Sequence, residues 1–138
     1  MMEFGAKLGA QLRGGECIIL TGDVGAGKTV LTKGLARGLA VDDDVQSPTF
    51  TISRVYKGRD ELELAHYDFY RLSEPGIMKD ELREVLSDSQ VITVVEWADI
   101  VENVVPDKAI RIMISPLSET SRSLEITGAD TLLRGESI

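Results

Sequence analysis

The octet Gly22-Asp23-Val24-Gly25-Ala26-Gly27-Lys28-Thr29 fits the spacing G-x-x-x-x-G-K-[ST] in full. Its glycines let backbone N–H groups turn inward around phosphate oxygens with no Cβ in the way. A helix starting at the lysine adds the positive end of its dipole to the same anion. Read this way, Gly25, Ala26, Gly27, Lys28, Thr29 and Val30 are the nucleotide-binding stretch. Lys28 reaches the β- and γ-phosphates, and the Thr29 hydroxyl ligates Mg²⁺. The competing reading is a glycine-rich turn with an incidental lysine. It does not account for the apolar run Cys17-Ile18-Ile19-Leu20 before the octet or the helical pattern after it.

A loop of this kind needs a carboxylate on the metal side, usually at the end of a buried strand. Glu96 closes the run Val91-Ile92-Thr93-Val94-Val95. A charge there is costly unless a cation meets it, so Glu96 joins Thr29 as a metal ligand. Asp68 ends a strand on which Leu62, Leu64, His66 and Asp68 share one face, with Ala65, Tyr67 and Phe69 on the other. It is a second candidate for the metal or for the attacking water, against an ion pair with Arg71. Thr49 lies in the loop Ser47-Pro48-Thr49-Phe50, where a segment that senses the γ-phosphate would sit, and Ser47 is a lesser candidate in the same loop. The catalytic set is therefore Lys28, Thr49, Asp68 and Glu96. His66 reads more readily as a hydrogen-bonded structural histidine than as a catalytic one. Trp97 reads more readily as a core aromatic than as part of the site.

The elements that must position these residues follow from hydrophobic spacing. Phe4, Leu8 and Leu12 fall four apart and predict a helix ending near Gly14-Gly15. Leu31, Leu35 and Leu39 do the same for a helix over 28–39. TISRVY and ELELAHYDFY predict two strands around a turn at 57–60. Residues 79–86 predict a short helix and QVITVVEW a fully buried strand. AIRIMI and SLEIT predict terminal strands, whereas 129–138 show no pattern that assigns an element. This order predicts a single α/β domain over 1–138. Its fold is a three-layer P-loop NTPase-type sandwich, with a mixed, largely parallel sheet and an antiparallel hairpin at one side.

Composition narrows the function classes. A chain of 138 residues suits one domain, and 43% hydrophobic with 28% charged residues is ordinary for a globular one. The net charge of −8 repels phosphate backbones, so unaided tight binding to nucleic acid is not expected. Cys17 is the only cysteine and sits in an apolar run, which reads as a small buried hydrophobe in a reducing compartment. One cysteine and one histidine cannot make a Cys/His zinc site. No apolar run approaches the ~18 residues of a membrane span, and the N-terminus lacks the apolar core of a signal peptide.

The type of nucleotide is read from what accompanies the loop. Guanine-specific P-loop proteins commonly carry Asn-Lys-x-Asp, and the only asparagine here, Asn103, precedes Val104. ATP is therefore favoured. A small-molecule kinase would need an arginine-rich lid and an acceptor subdomain, and the arginines here are scattered. Three classes stay open: an ATPase that resets a partner, a nucleotide-sensing binding module, and a small kinase. The first is preferred.

GDVGAGKT, SPTF, HYDFYRL and VVEW, in that order and spacing, together resemble the bacterial TsaE family. FGAKLGAQL also resembles that family's first helix. The likeness runs over about residues 4–128, and it is the combination of the four motifs that is specific. It implies a cytoplasmic ATPase of tRNA threonylcarbamoyladenosine biosynthesis that binds ATP with Mg²⁺. It also implies association with the TsaD–TsaB heterodimer, with tRNA met only through that complex, and no membrane. Hydrolysis would sustain turnover of the complex rather than perform the transfer. Lys28 and the loop backbone would hold phosphates, Thr29 and Glu96 Mg²⁺, Asp68 would support hydrolysis, and 47–49 would form the switch-like loop. Members usually carry a strand before the first helix. This chain starts almost on the helix, so that edge strand is expected to be missing, and the adenine side of the pocket is less defined than the phosphate side. The segment between Tyr70 and Val91 matches the family less well.

Overall fold

A computed structural model describes residues 2–22, 27–42, 45, 53–69, 76, 78–118 and 122–128. Among them, six strands form one sheet in the order β2-β3-β4-β1-β5-β6. The strands are β1 (Cys17–Thr21), β2 (Ser53–Lys57), β3 (Glu63–Asp68), β4 (Val91–Glu96), β5 (Ile110–Pro116) and β6 (Arg122–Thr127). The helices are α1 (Met2–Gln11), α2 (Lys28–Gly38) and α3 (Met78–Leu86). The central four strands, β3, β4, β1 and β5, run parallel. The edges β2 and β6 are antiparallel to their neighbours. The β2–β3 hairpin was expected. The second antiparallel pair, β5 with β6, was not, because neither run alternates strongly enough to reveal its direction.

Burial on both faces explains why β1 and β4 read as continuous apolar runs. Ile18, Leu20, Ile92 and Val94 face α1 and α2, where they meet Phe4, Leu8, Leu12, Leu31, Leu35 and Leu39. Cys17, Ile19, Val91 and Val95 face the other layer, with Leu82 of α3 and Val101 of a 3-10 segment over Ala98–Val104. The face assignment on β3 holds: Leu62 and Leu64 lie on the α1/α2 side, and Ala65, Tyr67 and Phe69 on the α3 side. Tyr67 donates to Glu81 Oε1 at 3.1 Å and stacks on Phe69, with ring centroids 5.8 Å apart. This ties α3 to the sheet.

α1 packs on α2 through small residues. A Cβ on Gly9 would lie 2.4 Å from the Leu35 carbonyl oxygen, and one on Gly38 would lie 2.3 Å from that of Ala6. The spacings Gly5-x-x-x-Gly9 and Gly34-x-x-x-Gly38 face each other, so the two backbones nearly touch. Arg59, in the turn between β2 and β3, locks the far end of the pair. Its guanidinium donates to the carbonyls of Gly38 at 2.7 Å and Leu12 at 2.7 Å, and to Ala10 at 3.2 Å. A cation there also complements the negative dipole ends of both helices.

Two boundaries differ from expectation. α1 stops at Gln11 rather than near Gly14-Gly15 because the Glu16 carboxylate captures the N–H groups of Arg13 (2.9 Å) and Gly14 (2.7 Å). β3 begins at Glu63 because Asp60 and Glu61 turn left-handed, at φ 53° and 65°. Residues 129–138 lie outside the described residues.

Candidate functional site

β1, β3 and β4 are parallel and in register, so their carboxyl ends open onto one edge of the sheet. Leu20 of β1 lies beside Glu96 of β4, and Asp68 of β3 lies on its other side. β1 has β4 on one side and β5 on the other. The crevice beyond such a reversal of strand order is where open α/β sheets take ligands.

α2 begins at this edge. Gly27 caps α2 in the left-handed region at φ 106°. Lys28 is the first helical residue, and Thr29 and Val30 follow in the same turn. Val30 is 42% exposed and directs its side chain outward, so its share in binding falls to its backbone N–H. Thr32 donates its hydroxyl to the Lys28 carbonyl at 2.9 Å and steadies this first turn.

Lys28 is buried, with 7% of its side chain exposed. Its ammonium stands 3.7 Å from Glu96 Oε1 and 4.3 Å from the centroid of the Trp97 ring. Glu96 is buried as well, and its other oxygen, Oε2, lies 2.5 Å from His66 Nε2. The carboxylate is thus bridged, one oxygen to the lysine and the other to the histidine. This answers the cost of a charge at the end of an apolar strand. Trp97 is left-handed at φ 58°, an unfavourable region for a bulky residue. That turn brings the indole under Lys28 while it also packs on the α3-side core.

Beside Lys28 and Trp97 a cleft of about 330 Å³ runs over the ends of β1 and β5. Thr21, Gly22, Met113 and Ser115 line it, and Arg111, paired with Glu102, closes one wall.

The structure therefore brings together Lys28, Glu96 and Asp68 from the expected set, with Gly27, Thr29 and Val30 at the helix start. Gly25, Ala26, Ser47, Thr49 and Arg71 lie outside the described residues. Two readings change. Trp97 is partly exposed and touches Lys28, so it belongs to the site as well as to the core. His66 is structural in being fully buried, but its hydrogen bond goes to the site carboxylate. Period two already put His66 and Asp68 on one strand face, but the partner of His66 needs the pairing of β3 with β4. Cys17 is buried as expected, and burial pushes its thiol up to about 12 against the opposing pull of Arg111. No described helix is long and apolar enough to cross a membrane.

Comparison with known proteins gives the family. Residues 1–124 match the family model for threonylcarbamoyl adenosine biosynthesis protein TsaE. The chain is 33% identical over 123 residues to the tRNA threonylcarbamoyladenosine biosynthesis protein TsaE of Treponema pallidum, covering 89% of this chain and 90% of that one. It is 38% identical over 127 residues to the Bacillus subtilis protein of the same name, covering 88% and 76%. Identity reaches 44% over 100 residues with the Streptomyces coelicolor protein, covering 72% and 68%. The crystal structure of Bacillus subtilis YdiB superposes with a TM-score of 0.65 at 32% identity, over 89% of this chain and 75% of that one. With its mixed, centrally parallel P-loop-type sheet and a family match over nearly its whole length, the chain belongs to the TsaE family.

Proposed function

We propose that this chain binds ATP with Mg²⁺ and hydrolyses it slowly, as the ATPase of tRNA threonylcarbamoyladenosine biosynthesis. One observation carries the reading: a buried lysine at the start of α2 meets a buried strand-end carboxylate at the carboxyl edge of the parallel sheet. Those are the phosphate-side and metal-side groups that phosphoryl hydrolysis requires.

The donor set suits the cation. The Thr29 hydroxyl and Glu96 Oε1 are hard oxygen donors, and Mg²⁺ is commonly held by one or two protein oxygens together with phosphates and water. When bound, the cation would neutralise charge developing on the β- and γ-phosphates. Lys28, released from Glu96, would hold the γ-phosphate. The helix start at Gly27–Thr29 would offer backbone N–H groups to the same anion. Asp68, in register with Glu96, would orient the attacking water, and Thr49 would sense the γ-phosphate. The cleft lined by Trp97 and Met113 adjoins Lys28.

The family match supports a role in that pathway. The chain would act in the cytoplasm on the TsaD–TsaB heterodimer, which carries out the transfer, and would meet tRNA only through that complex. Its net charge of −8 suits a protein that leaves tRNA contacts to partners.

Phosphate release measured with and without the cognate heterodimer tests this. The expected result is slow, Mg²⁺-dependent release that the heterodimer stimulates and that Glu96→Ala and Asp68→Ala each reduce. Saturable ATP binding with no release, alone or with the heterodimer, would leave a nucleotide-sensing binding module as the better account. Stimulated release that neither variant reduces would overturn the roles given to Glu96 and Asp68.

A further inference from the structure

Glu96 uses its two oxygens differently. Oε2 is 2.5 Å from His66 Nε2, a short and strong contact, whereas Oε1 is 3.7 Å from the Lys28 ammonium, a loose one. Lys28 is also the residue whose motif assigns it to phosphate. His66 has no such second task. It is fully buried on β3, beside Val94 of β4.

The tautomer follows from geometry. A bare Nε2 facing a carboxylate oxygen at 2.5 Å would set two acceptors against each other, so the ring proton sits on Nε2 and donates. In the neutral ring Nδ1 is then an acceptor, and among the described residues it has no partner. A buried unpaired acceptor is tolerated better than a buried unpaired N–H. The same assignment therefore fits both ring nitrogens.

We propose that His66 is a positioning residue for Glu96. Its Nε2–H keeps Oε2 fixed while Oε1 alone changes partner, from Lys28 to the cation that accompanies the nucleotide. A strand-end glutamate has several rotors, and without this hold it would have to be ordered again each time Lys28 turned to phosphate. Groups that orient a metal ligand through a hydrogen bond typically change metal affinity about 10- to 100-fold when removed. The inference rests on the Mg²⁺–nucleotide reading above.

Two measurements test it. The chain has one histidine, so a histidine-selective ¹⁵N label gives the ring signals of His66 alone. The proton is expected on Nε2 both without nucleotide and with ADP and Mg²⁺. A proton on Nδ1 in either condition would overturn the assignment. The second measurement is the ratio of ADP affinities with and without Mg²⁺, by titration calorimetry. His66→Leu should lower that ratio by about tenfold or more, with Mg²⁺-free ADP affinity held within about twofold. His66→Gln, which retains a donor, should recover most of the ratio, and it serves as the test if the leucine variant does not fold. Equal losses with and without Mg²⁺ would mean a merely structural residue. An unchanged ratio would overturn the inference alone. A wild-type chain with no Mg²⁺ enhancement would overturn the nucleotide reading and the inference with it.

Discussion

The Lys28 ammonium and Glu96 Oε1 stand 3.7 Å apart with 7% and 5% of their side chains exposed. A buried pair of this kind is not strong evidence for stability, because each charge has given up its water. On the proposed function it stores two charges that nucleotide and cation would separate. Its consequences differ according to which partner is removed and what replaces it.

Removing the carboxylate strands two groups at once. Glu96→Ala leaves the ammonium buried over Trp97 and leaves His66 Nε2 without its acceptor. We expect a loss of about 3 kcal/mol in unfolding free energy, the usual scale for breaking a buried ion pair from one side. Glu96→Gln should cost less, because its amide oxygen still accepts from His66. Urea unfolding followed by Trp97 fluorescence measures both. A Glu96→Ala midpoint equal to that of wild type would contradict the buried bridge.

The α1–α2 contact makes a prediction opposite in sign to helix propensity. Alanine favours a helix over glycine by about 1 kcal/mol. A Cβ on Gly9 would nevertheless meet the Leu35 carbonyl oxygen at 2.4 Å, and backbone cannot swing aside as a side chain can. Gly9→Ala is therefore expected to lower stability by about 1–3 kcal/mol. It should also weaken ATP binding, since the displaced helix carries Lys28. A Gly9→Ala protein that melts higher than wild type would show that the helices have room to spare.

Much of this architecture could be read from local pattern. Four-residue spacing of Leu31, Leu35 and Leu39 gave α2, and the β-branched run ending at Glu96 gave β4 with a buried acid at its end. Period two put Leu62 and Leu64 on the α1/α2 face and Ala65, Tyr67 and Phe69 on the other. What escaped depends on contacts between distant segments. The glycines of α1 and α2 look like weak helix formers until the partner backbone is in place. The His66–Glu96 bond needs the β3–β4 register, Asp68 opposite Glu96, and no single-strand pattern contains that. The position of Trp97 under Lys28 depends on a left-handed backbone that indole residues seldom adopt.

Cys17 sets a dependence on pH. In the folded chain burial raises its thiol from 9.0 to about 12. The unfolded chain therefore ionises first as pH rises, and the folded chain binds the extra proton. Stability from this group is fully present below pH 9 and is lost progressively between pH 9 and about 12. Unfolding free energy of wild type minus that of Cys17→Ala, followed across that range, should decline. A flat difference would mean that the thiol is not held protonated. At pH 8 the native thiol should also resist aromatic disulfide reagents, which react with thiolate.

The central claim is that Lys28 holds nucleotide phosphate, and equilibrium binding tests it most directly. ATP with Mg²⁺ is titrated by calorimetry into wild type and into Lys28→Ala, with folding of both checked by circular dichroism. Truncating a buried charged partner typically costs 2–5 kcal/mol, so a loss of affinity on the order of 100-fold is expected in the variant. Saturable binding by wild type that vanishes or weakens on that scale is the predicted result. An unchanged dissociation constant in Lys28→Ala would contradict the assignment of the site.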